Sequence, residues 1–207
     1  MGVDAEMIGA GRAFYVTHPE VTIDPAVPVP DWGLSPVGAA RVAALAARLS
    51  IPPGTRIISS AERKALDTAE PLAARAGCVV ETRPDMHEND RSATGYLPGP
   101  EFEATADAFF ARPDQSVRGW ERAADAQARI LRQVDLALGA PAEGPVIFAG
   151  HGGVGTLLYC ALAGVKIDRK WDQPGPGHWF AFDIAARTVA CHWRPIEALA
   201  DLVRVNL

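Results

Sequence analysis

Phe14-Tyr15-Val16-Thr17-His18-Pro19-Glu20 is the stretch on which the fold turns. Aromatic and β-branched residues from Phe14 to Thr17 favour a strand, and Pro19, with no N–H to donate, ends its ladder. His18 is thereby delivered to a strand's carboxyl end, the rim at which open α/β sheets bind ligands. Taken alone, the stretch reads equally well as a histidine in a loop after an edge strand. A second stretch, Gly150-His151-Gly152-Gly153, follows the apolar run Val146-Ile147-Phe148-Ala149 and ends in the same way. The two histidines together make the candidate site.

Outward from His18, the segment Glu20 to Leu34 carries Pro25, Pro28 and Pro30, which forbid helix and predict a stiff loop over the rim. Ser35-Pro36 supplies an N-cap and a first-turn proline for a helix over Val37–Leu49, stopped by Pro52-Pro53-Gly54. Thr55 to Ser60 reads as a strand, Glu62 to Ala76 as a helix closed by Gly77, and Cys78 to Thr82 as a third strand. Arg83 to Pro100 is a long polar loop holding Asp85, Glu88, Asn89, Asp90 and Arg91, of a kind that is often functional. Helices are expected at Glu101–Ala111, at Val117–Leu138 with Ser116 as cap, and at Val154–Leu162, with a closing helix at Pro195–Val205. His178–Ile184 and Thr188–Trp193 read as an antiparallel pair. The alternation predicts an α/β fold: a three-layer α/β/α sandwich with a mostly parallel central sheet and an antiparallel edge.

Composition bounds the function classes. A chain of 207 residues, 48% of them hydrophobic, suits one well-buried domain spanning residues 1–207. The net charge of −5, with no Lys/Arg-rich run, argues against nucleic acid or an anionic membrane surface as a partner. Cys78, Cys160 and Cys191 are odd in number and set among apolar neighbours, which fits reduced thiols in a cytoplasmic protein rather than a disulfide framework or a metal site. Met1 to Gly11 has no basic-then-apolar leader pattern, and no apolar run approaches membrane-spanning length. No metal or organic cofactor is called for, because no ligand-spaced His/Cys cluster occurs. A small-molecule partner is expected, and nothing in the pattern excludes a homodimer.

Two motifs compete for Gly150-His151-Gly152-Gly153-Val154-Gly155. Its glycines satisfy the dinucleotide fingerprint, with a strand before and a helix after. That reading needs a further strand ending in an acidic residue, and the segment holding Asp168 and Asp172 has no strand run. The histidine reading fits better. Leu34-Ser35-Pro36-Val37-Gly38 matches a Leu-Ser-x-x-Gly helix start, Ser59 to Ala69 matches Ser-Ser-x-x-x-Arg-x-x-x-Thr-Ala, and Arg83 to Glu88 matches Arg-x-x-Leu-x-Glu. With His18 and Gly150-His151-Gly152, these five landmarks in order resemble the histidine phosphatase superfamily, which includes the cofactor-dependent phosphoglycerate mutases.

The resemblance implies a metal-independent phosphomonoesterase acting on a small phosphorylated substrate. His18 would be the nucleophile that becomes phosphohistidine, Arg63 and His151 would neutralise the phosphoryl group, and Glu88 would protonate the leaving group and then activate water. A mutase is disfavoured, since that branch carries a longer capping insertion and an intact opening motif. The departures are specific. Where the family has Arg-His-Gly, this chain has Thr17-His18-Pro19, so Thr17 takes the place of a phosphate-binding guanidinium and Pro19 removes a backbone donor. Arg91 and His178 are the candidates to fill the substrate-binding space beside Thr17. The alternative is a degenerate member that binds a phosphorylated ligand or a protein without turning it over. His87 and His192 have no assigned role.

Overall fold

A computed structural model of the chain describes residues 11–200. Its centre is one six-stranded sheet: β1 (Arg12–Thr17), β2 (Arg56–Ser60), β3 (Val80–Arg83), β4 (Val146–Gly150), β5 (His178–Asp183) and β6 (Thr188–Pro195), in the spatial order β3-β2-β4-β1-β5-β6. The first four strands are mutually parallel, and β5 and β6 run antiparallel at one side. Five α-helices accompany them: α1 (Pro36–Arg48), α2 (Arg63–Ala76), α3 (Gly99–Ala111), α4 (Ala123–Leu138) and α5 (Gly152–Leu162). The expected sandwich with a mostly parallel sheet and an antiparallel edge is the observed architecture.

The period-2 pattern of β1 divides the core between the two faces. Phe14 and Val16 join Val42, Leu45 and Leu72 of α1 and α2 in one apolar cluster. Ala13 and Tyr15 join Phe109, Ile130, Leu157 and Leu158 of α3, α4 and α5 in the other. Helix α1 begins as its sequence dictates: Ser35 Oγ accepts from the Gly38 N–H at 3.1 Å, and Pro36 occupies the first turn.

Two expectations change. Helix α4 starts at Ala123 rather than Val117, because Arg118 and Gly119 take positive φ values of 54° and 81°, which a right-handed helix does not allow. Ser116 accordingly does not cap it; its hydroxyl donates to the Trp120 carbonyl oxygen at 2.7 Å. Of the closing helix read at Pro195–Val205, Pro195 ends β6 and residues 196–200 form a 3₁₀ turn, while the remainder lies outside the described residues, as does the Met1–Ala10 part of the leader reading. Among the described residues no helix is long and apolar enough to cross a membrane.

All four parallel strands point their carboxyl ends to one rim. There Thr17 leads to His18, Ser60 to Glu62, Arg83 to the Glu88 loop and Gly150 to His151. The start of antiparallel β5, at His178, reaches the same end, since Trp179 pairs with Val16.

Candidate active site

His18 leaves β1 with its N–H donated to the Gly150 carbonyl oxygen at 3.1 Å, so the two histidine-bearing strand ends are tied together. The imidazoles of His18 and His151 meet edge to face, with ring centroids 5.4 Å apart, close enough for both to touch one phosphoryl group. Nδ1 of His18 lies 2.9 Å from the Pro19 carbonyl oxygen. A carbonyl only accepts, so Nδ1 carries the proton and Nε2 keeps a lone pair. Burial, and next the field of His151, lower the His18 pKa to about 3, which leaves the ring neutral at physiological pH.

His151 is fully buried, and its Nε2 lies 2.9 Å from Ser60 Oγ. Ser60 Oγ already accepts the Glu62 N–H at 3.2 Å, so its own proton is available to His151 Nε2. Nδ1 of His151 is buried with no protein partner. Desolvation lowers the pKa of this ring too, against the opposing fields of Glu62 and Glu88.

Two carboxylates complete this side. Glu88 sits at the start of α5, where its oxygens accept the N–H groups of Gly153 at 3.0 Å and Val154 at 2.9 Å, and that of Asn89 at 3.1 Å. Burial works against its ionisation, but the surrounding positive fields and these N–H groups win and hold its pKa below the usual carboxylate value. Glu62 is likewise opposed by burial. The fields of His151 and Lys64, with the hydrogen bonds from Lys64 and the Glu88 N–H, outweigh it and lower the Glu62 pKa to about 2. Lys64, only 3% exposed, gives its ammonium to the Glu62 carboxylate and to the Val29 carbonyl oxygen at 2.9 Å. A cavity of about 420 Å³ opens here, its wall including Val29, Glu62, Glu88, Asn89 and Arg91.

The glycines of the Gly150–Gly155 run allow close packing. A Cβ on Gly153 would stand 2.7 Å from Glu88 Oε1, and one on Gly152 would stand 2.6 Å from Gln173 Nε2.

The other side of the rim is closed. Thr17 is fully buried, and its hydroxyl accepts the His178 N–H at 3.0 Å and lies 2.6 Å from Gln173 Oε1 and 3.1 Å from the His178 carbonyl oxygen, positions it can donate to. The Gly177 N–H donates to the His18 carbonyl oxygen at 3.0 Å. Arg41 locks the arrangement from outside, pairing with Glu20 and Glu197 and donating to the Pro176 and Gly177 carbonyl oxygens.

The rim thus collects His18, Glu88, His151 and Arg91 but not Arg63. The Arg63 side chain is 66% exposed and bonded to Asp67 one helical turn on, because at the first position of α2 it points away from the sheet. Lys64, one residue later, is the inward cation. Counting Ser-Ser-x-x-x-Arg strictly from Ser59 lands on Lys64, so the register itself held the signal. Thr17 offers nothing to a substrate, since its hydroxyl is consumed internally. His178 contributes backbone groups to Thr17, and its Nδ1 is buried without a partner. Reading by motif also passed over Arg129, which donates to the carbonyl oxygens of Asp85 at 2.8 Å and His87 at 2.9 Å, pairs with Glu121, and so holds the Glu88 loop in place.

The chain belongs to the histidine phosphatase superfamily (branch 1), whose family model matches residues 24–190. The match begins after the Thr17-His18-Pro19 segment. An uncharacterized protein of Mycobacterium tuberculosis, Rv0525, is 32% identical over 149 residues, covering 70% of this chain and 72% of the relative. Among solved structures, mycobacterial glucosyl-3-phosphoglycerate phosphatase Rv2419c superposes with a TM-score of 0.70 at 22% identity, covering 89% of this chain and 96% of that one. TTHB049 from Thermus thermophilus gives a TM-score of 0.62 at 22% identity, covering 88% and 99%. These last two likenesses establish the shared fold.

Proposed function

We propose that the protein is a phosphomonoester hydrolase working through a phosphohistidine on His18, with no metal or organic cofactor. One observation carries the reading: the edge-to-face imidazole pair, 5.4 Å between centroids, with the His18 proton fixed on Nδ1 and Nε2 left as a neutral nucleophile. In the first step Nε2 attacks phosphorus, the bond from phosphorus to the leaving oxygen breaks, and that oxygen departs as an anion that takes its proton from water. The buried Nδ1 of His151 supplies a donor to the phosphoryl oxygens when Ser60 donates to Nε2, and Lys64 supplies charge from below Glu62. In the second step water attacks the phosphohistidine, the Glu88 carboxylate takes its proton and afterwards returns it to solvent, and the N–P bond breaks to release phosphate and restore His18. Because Glu88 starts ionised, it is better poised as this base than as an acid for the first step.

His18→Ala should abolish turnover, by about 10⁴-fold or more, and should abolish an alkali-stable, acid-labile phosphoenzyme in rapid-quench experiments. A folded His18→Ala protein that hydrolyses at the parent rate would overturn the proposal. A second reading is favoured by one observation: Lys64 is already neutralised by Glu62, and Glu62 and Glu88 both present charge to the cavity. A non-catalytic binding protein would have such a site, and it predicts no hydrolysis in the parent either.

A further inference from the structure

Beside the Glu62–Glu88 cavity lies a second cavity of about 230 Å³, lined by the apolar faces of Ile23, Val29, Trp32, Tyr96, Leu97 and Phe102 together with Arg91. Val29, Arg91 and Gly95 line both cavities, so the two adjoin and share a wall. The aromatic walls are held in place. The Trp32 Nε1–H donates to the carbonyl oxygens of Asp24 at 2.9 Å and Val27 at 3.0 Å, and the Tyr96 ring leans on the indole with centroids 5.8 Å apart. Tyr96 is 39% and Ile23 57% exposed, an apolar surface that the described residues leave open. Arg91 stands between the cavities with its guanidinium 5.1 Å from the Phe102 ring centre and 5.7 Å from that of Trp120. Among the described residues it forms no ion pair, and its field reaches Glu88.

We propose that this second cavity seats the leaving group of an aromatic phosphomonoester, the ring resting against Trp32, Tyr96 and Phe102 and the phosphoryl group lying on the Arg91 side. The inference rests on the phosphatase reading above and names its substrate class. Two independent features point to it. The walls offer stacking surface and little hydrogen-bonding capacity apart from Arg91 and the Tyr96 hydroxyl, which suits a flat apolar group rather than a polyol. Glu88, with three N–H donors on its carboxylate, is a poor proton donor, and a phenol-type oxygen departs as the anion without one. In the balanced step the His18 Nε2–P bond forms, the P–O(aryl) bond breaks, and the aryloxide takes its proton from water afterwards.

The test compares 2-naphthyl phosphate with phenyl phosphate, whose leaving phenols are of similar acidity, in the parent and in Tyr96→Ala, Tyr96→Phe and Ile23→Ala. Both altered positions are exposed, so folding should survive. The parent should favour the naphthyl ester in kcat/KM on the order of tenfold through KM, Tyr96→Ala should collapse that ratio, and Tyr96→Phe should keep it. Hydrolysis with no naphthyl preference, or a preference untouched by Tyr96→Ala and Ile23→Ala, overturns the aromatic cleft while leaving the phosphatase reading intact. Should neither ester be hydrolysed, the phosphatase reading fails, and calorimetry with 2-naphthylmethylphosphonate against methylphosphonate decides the cleft separately. Tighter binding of the naphthyl compound that Tyr96→Ala weakens supports it, and equal binding of the two refutes it.

Discussion

The rim of the sheet has two halves that use the same kinds of residue in opposite ways. On the β2–β4 side, Glu62 and Glu88 line the cavity, His151 lies edge to face with His18 and holds Ser60 Oγ on its Nε2, and Nδ1 of His151 is left without a partner. On the β1–β5 side, Thr17, Gln173 and the His178 backbone spend their polar atoms on each other. Unsatisfied buried groups cost stability and are tolerated where a ligand completes them. Nδ1 of His178 is a like orphan on the closed half, so it is the cavity lined by Glu62 and Glu88 that marks the open half as chemistry, while the closed half is a structural knot built where the family places an arginine.

The largest effect should come from forcing the closed half open. Thr17→Arg would put a guanidinium where Thr17 is fully buried and where Gln173 and β5 already fill the space. We expect a loss of at least about 3 kcal/mol in denaturant-unfolding stability, whatever happens to Pro19. Restoring the family arginine is thus not a simple route to higher activity. Thr17→Arg combined with Gln173→Gly should recover part of the loss; equal stability of the single variant and the parent would show that the knot is not packed as described. On the open half, His151→Ala removes the imidazole packed against His18 and should cut kcat by about 10²–10³-fold with a smaller change in stability than Thr17→Arg. Steady-state kinetics beside thermal melts separate the two halves.

Much of this division was legible in the sequence, and the illegible part has a common cause. Pro19 after a β-branched run placed His18 at a strand end, Ser35-Pro36 placed α1, and the Gly150 to Gly155 run placed His151 at the start of α5. Those are local signals, set by one residue's own backbone chemistry. What the sequence hid was lateral. Arg63 and Lys64 are neighbours in the chain, yet only the face of α2 decides which one turns inward. Gln173 meets Thr17 across 156 positions, and Arg129 reaches the Glu88 loop from another helix. The late start of α4, after Arg118-Gly119, depended on positive φ at an arginine, which propensity does not anticipate.

A smaller effect separates the halves by pH. The unfolded chain protonates histidine near 6.5, whereas His18 in the folded protein stays neutral down to about 3, and the His151 pKa is lowered in the same direction. Between those values the unfolded state binds more protons, so stability falls as pH drops below about 6.5. The slope can reach about 1.4 kcal/mol per pH unit for each such histidine. The ionised carboxylates add their loss only further down, below their ordinary value of 4.5. Melting temperatures from pH 7 to pH 5 should therefore decline less steeply in His18→Asn than in the parent. Parallel slopes would mean that the His18 ring is not held neutral, and its role as a ready nucleophile would go with it.

The smallest expected change is the sharpest probe of the open half, because it asks whether Glu62 tunes the site or takes part in it. Glu62 ties up the Lys64 ammonium and stays ionised at any working pH, so an incoming phosphoryl dianion meets two carboxylates and a cation already neutralised. Glu62→Gln keeps a carbonyl oxygen able to accept the Glu88 N–H now bonded to Glu62 at 2.8 Å, while removing one negative charge. Lys64 then holds a buried charge without a counterion, so the unliganded variant should melt lower than the parent. The same charge is offered to phosphate, whose dissociation constant should fall by about tenfold, with KM for phosphomonoesters following it. Phosphate should accordingly raise the melting temperature more in Glu62→Gln than in the parent. If kcat instead drops by orders of magnitude while phosphate affinity is unchanged, Glu62 acts on the reacting atoms rather than on Lys64, and the carboxylate that takes the water proton must be sought at Glu62 rather than Glu88.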